Sequence, residues 1–303
     1  MDPTTFITTF MSSVGISAAA AAWLARTLIS HRLEVERIAD KASIEGMVRT
    51  EVENKIGDRD AEREYAQDAR KRLYTAIGPL RFQLLIACRD LAGRVKDHGM
   101  GRRYTLDVDG HPDHYYGRST LFRILRPLCI AELLERQIAY ADFAVDSGAV
   151  DLLRFKKGAF AAFSGGSLVD GHPKVNWTDE VQHLFFDHVT KCASGLIVDE
   201  GGQARPARFH EFDGLLSAPN HSFDPFPQIL HGMTVENKPL FWTRLVGYGH
   251  LCNDFINRTG KAIGFEVRDY PLEDLLKASG DKTITGDIAG YVRRCDALLH
   301  VPL

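Results

Sequence analysis

No complete catalytic or cofactor-binding motif occurs in this 303-residue sequence. It contains no HExxH zinc motif and no GxSxG nucleophile elbow. The glycine-rich stretch FSGGS at 163–167 lacks the lysine and the spacing of a phosphate loop. The sequence therefore favours a protein that acts through contacts over an enzyme, although it leaves the question of an enzymatic activity open.

An excess of charge of either sign is also missing. The sequence has 37 basic and 40 acidic residues, which gives a formal net charge of −3. Proteins that bind nucleic acids through the phosphates carry a strongly basic face or region. Because no such region stands out here, we expect no nucleic-acid partner.

Cysteine pairs at CxxC spacing are absent as well. The five cysteines are odd in number and far apart along the chain: Cys88, Cys129, Cys192, Cys252 and Cys295. Four of them lie in segments that we interpret as apolar helix faces. This arrangement predicts buried free thiols in a reducing compartment.

Charged residues are missing from Pro3 to Ala25, and mixed charge begins at Arg26. A helix of about 20 residues crosses the roughly 30 Å hydrocarbon core of a bilayer, and residues 6–25 have that length. Trp23 suits the interface, and basic residues follow it, so the positive-inside rule places the rest of the chain in the cytoplasm. We predict that residues 1–27 form a single-pass anchor in the inner membrane, with the lipid bilayer as the partner of residues 6–25.

The apolar character of this segment is only moderate, because hydroxyl residues such as Thr8 and Ser12 interrupt it and Ala18–Ala22 is weakly apolar. Two alternatives therefore stay open. One is an alanine-rich first helix that packs within a soluble protein, and the other is a helix that lies in the membrane interface.

Residues 28–72 are dense in charge, rich in helix formers and free of proline, which predicts a juxtamembrane helical connector. Apolar residues share one face of this helix at positions Leu28, Val35, Ile38, Ala42, Val52 and Ile56. Glu45 and Arg49 interrupt this seam, and we expect the helix to break near Gly57. The spacing predicts a short coiled coil, and hence a homo-oligomer or a protein partner, or else a solvated helix with i,i+4 ion pairs.

Residues 73–303 are predicted to be a multi-helix cytoplasmic domain, so the fold class is mainly α with few short strands. The expected helices cover 73–97, 120–146, 206–217, 239–257, 271–278 and 285–299, with one more that begins at Thr178. Short strands are expected in GLIVDEGG and AIGFEV. The stretch from 147 to 177 has no clear pattern, and we expect the helices 120–146 and 239–257 to share one core.

A repeated pentapeptide, VDGHP, occurs at 108–112 and again at 169–173. The two copies present Asp109, His111, Asp170 and His172, and carboxylate and imidazole groups together bind Zn²⁺ or another divalent metal. One hypothesis is therefore a metal-dependent hydrolase that uses both loops. The alternative is a pair of similar exposed turns, since aspartate, glycine and proline all favour turns.

Other candidates have plainer structural explanations. His183 and His188 fall on one expected helix, with His188 on its apolar stripe as a core histidine. Arg123, Arg126 and Arg136 could meet anionic groups, or could pair with the acidic residues nearby. The hypothesis that the sequence supports best is a tethered helical protein that acts through protein contacts as a sensor, scaffold or effector subunit.

Overall fold

The computed structural model of the protein describes residues 3–101, 105–108, 114–138, 147–219, 221–265 and 268–302. Within these ranges, side chains are described from residue 22 onward, except at positions 39, 147 and 262. The chain forms two compact units, Met1–Gln67 and Asp68–Leu303. The prediction of a mainly α fold is confirmed.

Ten α-helices and one β-hairpin are found in the described residues. The helices are α1 Pro3–Met100, α2 Tyr115–Ile138, α3 Ser147–Ser164, α4 Phe186–Gly195, α5 Phe209–Leu216, α6 Phe226–Leu230, α7 Pro239–Phe255, α8 Leu272–Lys277, α9 Lys282–Gly286 and α10 Ile288–Ala297. The strands β1 Ile197–Glu200 and β2 Gln203–Pro206 pair antiparallel. This hairpin confirms the strand that GLIVDEGG predicted, with Gly201 and Gly202 at positive φ in its turn.

In the first unit, α1 continues through Gly57, so the expected break there is wrong. A single glycine inside a helix costs only about 1 kcal/mol relative to alanine. Good helix formers surround it, and ion pairs one turn apart support the helix on its N-terminal side. Arg49 Nε lies 2.9 Å from Glu53, and Lys55 Nζ lies 2.7 Å from Glu51.

The predicted anchor, residues 6–25, lies mainly outside the residues whose side chains are described. Its backbone belongs to α1. Within the described residues, no helix is both long enough and apolar enough to cross a membrane. The anchor therefore stays a prediction.

The core of the second unit is built around α7, which packs against α3 and α10. This helix begins with Pro239 at its first position, where the missing N–H costs nothing. Its buried Trp242 donates a hydrogen bond of 2.8 Å from Nε1 to the carbonyl of Leu275 in α8. Because α2 and α7 contribute to the same hydrophobic cluster, the expectation of one shared core is confirmed.

All five cysteines are buried and free, as predicted. Burial raises the pKa of the Cys192 thiol and of the Cys295 thiol to about 12 in each case. They stay protonated near neutral pH and pack as small apolar side chains.

The helix expected to begin at Thr178 is wrong, because α4 begins at Phe186 and turns occupy the preceding residues. Polar side chains hold these turns: Asn176 Oδ1 accepts from the Thr178 N–H at 3.1 Å, and Asp179 Oδ1 accepts from the Val181 N–H at 3.0 Å. Such local bonds give the backbone partners that compete with those of a helix.

Two other segments differ from the sequence prediction. The helix α3 occupies the first part of the stretch from 147 to 177, for which the sequence showed no clear pattern, and Ser147-Gly148 lies in its first turn. The strand expected in AIGFEV does not form in the described part of that segment, 262–265, since a 3-10 turn covers Lys261–Ile263 and Gly264 takes a φ of 85°. The predicted end of the helix 120–146 lies beyond Ile138, outside the described residues.

Candidate functional site

The second VDGHP loop is a turn whose histidine points inward. Asp170 is exposed, and its Oδ1 accepts from the Gly171 N–H at 3.0 Å. The His172 side chain is buried, and its Nδ1 accepts from the Lys174 N–H at 3.1 Å while its Nε2 lies 3.1 Å from Asp281 Oδ1. Both ring nitrogens therefore have protein partners, and coordination of a metal by His172 would require the loss of one of them.

Asp281, the partner of His172, is also the N-cap of the short helix α9. It accepts from the N–H groups of Thr283 and Ile284 at 2.9 and 3.2 Å. Burial alone raises the pKa of Asp281, but the hydrogen bonds from His172 and from these two N–H groups lower it below its ordinary value. The pair thus joins the loop to α9 as a structural contact.

The first VDGHP loop cannot be placed beside the second, because Asp109 and His111 lie outside the described residues. Among the residues that are described, no group of three or more possible metal-binding side chains comes together. The metal site of Asp109, His111, Asp170 and His172 stays a prediction.

The two histidines near α4 both contact the ring of Phe185. His183 is 2% exposed, precedes the helix, and packs against the rings of Trp177 and Phe185 at 5.4 and 4.9 Å. His188 lies within α4 and faces the same Phe185 ring at 5.6 Å. Burial, followed by the positive charge of Arg244, lowers the pKa of His183, so this imidazole is neutral near pH 7.

A cleft of about 740 Å³ lies between the 174–182 turns, the start of α7 and the turn before α9. Its charged lining residues are Lys174, Asp179, Glu236, Lys238, Asp281 and Lys282. The acidic and basic groups are equal in number. Lys238 Nζ donates to the carbonyls of Ile229 and His231, the latter at 2.9 Å, and burial lowers its pKa. The cleft can hold a small polar molecule but has no net charge to select one.

Two adjoining cavities of about 460 and 200 Å³ form what we call the arginine groove. Both are lined by Phe122, Arg126 and Phe209. The remaining lining residues are Gln83, Ala87, Asp90, Tyr115, Ser119, Arg123, Arg205, Pro206, Ala207 and Arg208. The groove therefore lies between the C-terminal part of α1, α2, and the segment that joins β2 to α5.

The arginines on the β2 side of the groove have carboxylate partners. Arg205 donates to both oxygens of Glu211 at 2.7 and 2.8 Å and also contacts Glu200. Arg208 lies 3.9 Å from Glu200. Hydrogen bonds from Arg205 and from the backbone N–H of Arg208 lower the pKa of Glu211 to about 2.

The arginines on α2 differ in this respect. Arg123 donates to the Ser119 hydroxyl at 2.9 Å, and the guanidinium carbon of Arg126 lies 5.9 Å from the centre of the Phe122 ring. Within the described part of the chain, neither arginine forms an ion pair with a carboxylate. Arg136, which the sequence grouped with them, instead pairs with Glu132 at 3.1 Å.

The sequence identified the arginines of α2 but missed the other wall of the groove. The β-hairpin and α5 bring Arg205 and Arg208 there, and a sequence without known contacts does not show which helix they face.

Comparisons of the chain with protein-family models, with curated proteins and with solved structures found no match.

Proposed function

We propose that the protein is a membrane-tethered helical protein that acts through protein contacts, as a sensor, scaffold or effector subunit, and that it self-associates through α1. In this proposal residues 6–25 span the inner membrane and the rest of the chain lies in the cytoplasm. The observation that carries the proposal is an apolar seam on α1 that nothing covers in the first unit.

Every described side chain from residue 22 to residue 65 is exposed. The large apolar residues of the seam have exposed fractions of 65% for Leu28, 52% for Val35, 65% for Ile38, 49% for Val52 and 53% for Ile56. Full burial of such a side chain is worth about 1.5–3 kcal/mol. A lone helix forgoes this stabilisation, whereas a helix pair with heptad spacing gains it.

A second copy of the same chain is the partner that fits this seam. Two copies tethered by the same end to one bilayer have parallel helices, and the seven-residue spacing then brings each seam residue against its equivalent. With Ile56 at a core position, Lys55 of one copy lies beside Asp60 of the other. These opposite charges favour the parallel register.

The two charged residues in the seam weaken this contact without preventing it. Each has a partner on its own helix, because Arg49 lies 2.9 Å from Glu53 and Glu45 lies 3.8 Å from Lys41. Polar residues at core positions of a coiled coil lower its stability and restrict its register. We therefore expect a reversible association rather than a permanent one.

Aspartate at two seam positions tests the self-association. We expect Ile38→Asp with Val52→Asp to reduce cross-linked dimers of the full-length protein in membranes at least tenfold, because two charges would enter each apolar contact. The matched control is Ile44→Asp with Met47→Asp, which adds the same charges to exposed positions off the seam. A monomeric wild-type protein, or equal losses in both variants, would remove the self-association claim.

Extraction at alkaline pH tests the tether separately. We expect the full-length protein to stay in the membrane pellet after a carbonate wash. Val14→Arg with Ala18→Arg should release it, because each arginine at the centre of a span costs about 2.5–3.5 kcal/mol on insertion scales. Release of the wild-type protein by carbonate would contradict a spanning helix but would leave the seam proposal standing.

A further inference from the structure

We propose that the arginine groove binds a nucleotide: a small phosphorylated molecule with a flat ring, of the class of purine nucleoside triphosphates. The inference goes beyond the proposed function, and it uses the second unit alone.

The first step is the sign of the charge. Among the described residues, four arginines and one acidic residue line the groove, and this acidic residue, Asp90, is already paired with Arg89 at 2.9 Å. Glu200 and Glu211 balance the charges of Arg205 and Arg208, so the positive charge that remains is on Arg123 and Arg126. A groove lined by positively charged side chains favours an anion as its ligand.

The second step is the number of charges. Arg123 and Arg126 are three residues apart on α2 and therefore share one face of the helix. Both are half-buried, which limits screening by solvent. A guanidinium group binds two oxygens of a phosphate at once, and several such groups around one groove suit a polyphosphate better than a single carboxylate.

The third step is the apolar floor. The rings of Phe122 and Phe209 are half-buried, meet edge to face with centres 5.5 Å apart, and line both cavities. Tyr115 is 60% exposed, and its ring centre lies 5.6 Å from that of Phe209. An aromatic floor beside cations suits a planar ring, and the amide of Gln83 at the wall can donate to and accept from a base edge.

The size of the groove favours a small molecule over a polymer. The two cavities of about 460 and 200 Å³ together fall in the usual range for ligand pockets, which is about 300–1,000 Å³. A nucleic acid needs an extended basic surface, whereas a nucleotide needs only the groove.

The test is equilibrium binding of ATP to the full-length protein by calorimetry. We expect saturable binding that Arg126→Gln weakens by about tenfold or more, because a charged hydrogen bond to phosphate is lost. Phe209→Leu should weaken it severalfold through the loss of the ring contact. The matched control is Arg154→Gln on α3, which removes an exposed arginine outside the groove and should leave the affinity unchanged.

Several results would overturn the inference. They are no saturable binding of ATP by the folded wild-type protein, equal affinities of wild type and Arg126→Gln, and inorganic tripolyphosphate or a short RNA binding as tightly as ATP. Circular dichroism establishes that each variant is folded. If Arg126→Gln is not folded, Arg123→Gln takes its place with the same expected loss.

Discussion

Replacement of Arg244 by methionine is expected to lower the free energy of unfolding by about 3–5 kcal/mol, a large part of the stability of a typical domain. The Arg244 side chain is fully buried in α7. Its Nε donates to the carbonyl of Gln182 at 2.8 Å, and its Nη1 donates to the carbonyls of Ala162 and Gly165 at 2.9 and 2.8 Å. Methionine has a similar length but removes all three of these hydrogen bonds, the one to the Ala162 carbonyl in a buried position.

The position of these acceptors explains how a buried cation is tolerated. Ala162 and Gly165 lie at the C-terminal end of α3, where helix carbonyls lack internal partners and the helix dipole is negative. Arg244 therefore caps α3, and this end of the helix takes the place of a carboxylate. Burial still disfavours the charge, and it lowers the pKa of Arg244 to about 10. The guanidinium is charged at neutral pH nonetheless.

Urea unfolding of the full-length protein at pH 7 measures this effect. Arg244→Lys keeps the charge but lacks the planar guanidinium group with its several N–H donors. We therefore expect an intermediate loss of unfolding free energy, about 2 kcal/mol. The matched control is Arg258→Met, which removes a half-exposed arginine paired with Asp254 and should change stability by less than about 1 kcal/mol. A loss for Arg244→Met no larger than that of the control would contradict the capping role.

The role of Arg244 also shows what the sequence could and could not predict. The period of apolar residues identified α7 and most of α2, because those helices bury a continuous face. Nothing in the sequence distinguishes Arg244 from the surface arginines, since its acceptors come from α3 and from the turn at Gln182. Contacts between segments far apart in sequence decide its function, and a local pattern does not contain them.

The candidate sites divide in the same way. The repeat of VDGHP was visible because it is local, but its His172 binds Asp281, which lies 109 residues further along the chain. The arginine groove likewise forms only because the segment from β2 to α5 lies opposite α2, and the sequence alone does not show this contact. The seam of α1 is different, since its residues follow from the period of one helix, whereas its contact with a second copy stays a prediction.

The remaining large effect is expected at an ion-pair network that joins α2 to α3. Lys156 Nζ donates to Glu132 Oε2 at 2.7 Å and also contacts Glu135, while Arg136 Nε donates to Glu132 Oε1 at 3.1 Å. Lys156 and Glu132 have exposed fractions of only 8% and 7%. Arg136 also donates to the Ser194 hydroxyl in α4 at 2.9 Å, so the network fixes three helices.

Lys156→Met is expected to lower the free energy of unfolding by about 3 kcal/mol, because it leaves the buried carboxylate of Glu132 with Arg136 alone. The double variant Lys156→Met with Glu132→Leu removes both charges, and we expect it to recover most of this loss. Urea unfolding at pH 7 measures both. A double variant that is less stable than Lys156→Met would contradict an uncompensated charge on Glu132 as the cause of the loss.

The same network predicts that the stability of the fold depends on pH. Burial alone raises the pKa of Glu132, but the hydrogen bonds and charges of Lys156 and Arg136 outweigh it and hold the pKa below its ordinary value of 4.5. A carboxyl group with a lowered pKa stabilises the fold above its unfolded pKa, and this contribution is lost as the pH falls through the folded value. The stability difference between wild type and Glu132→Gln should therefore be largest near pH 7 and should shrink below about pH 4. A difference that stays constant from pH 7 to pH 3 would mean that the charge of Glu132 does not stabilise the fold, and that the loss in Lys156→Met comes from packing.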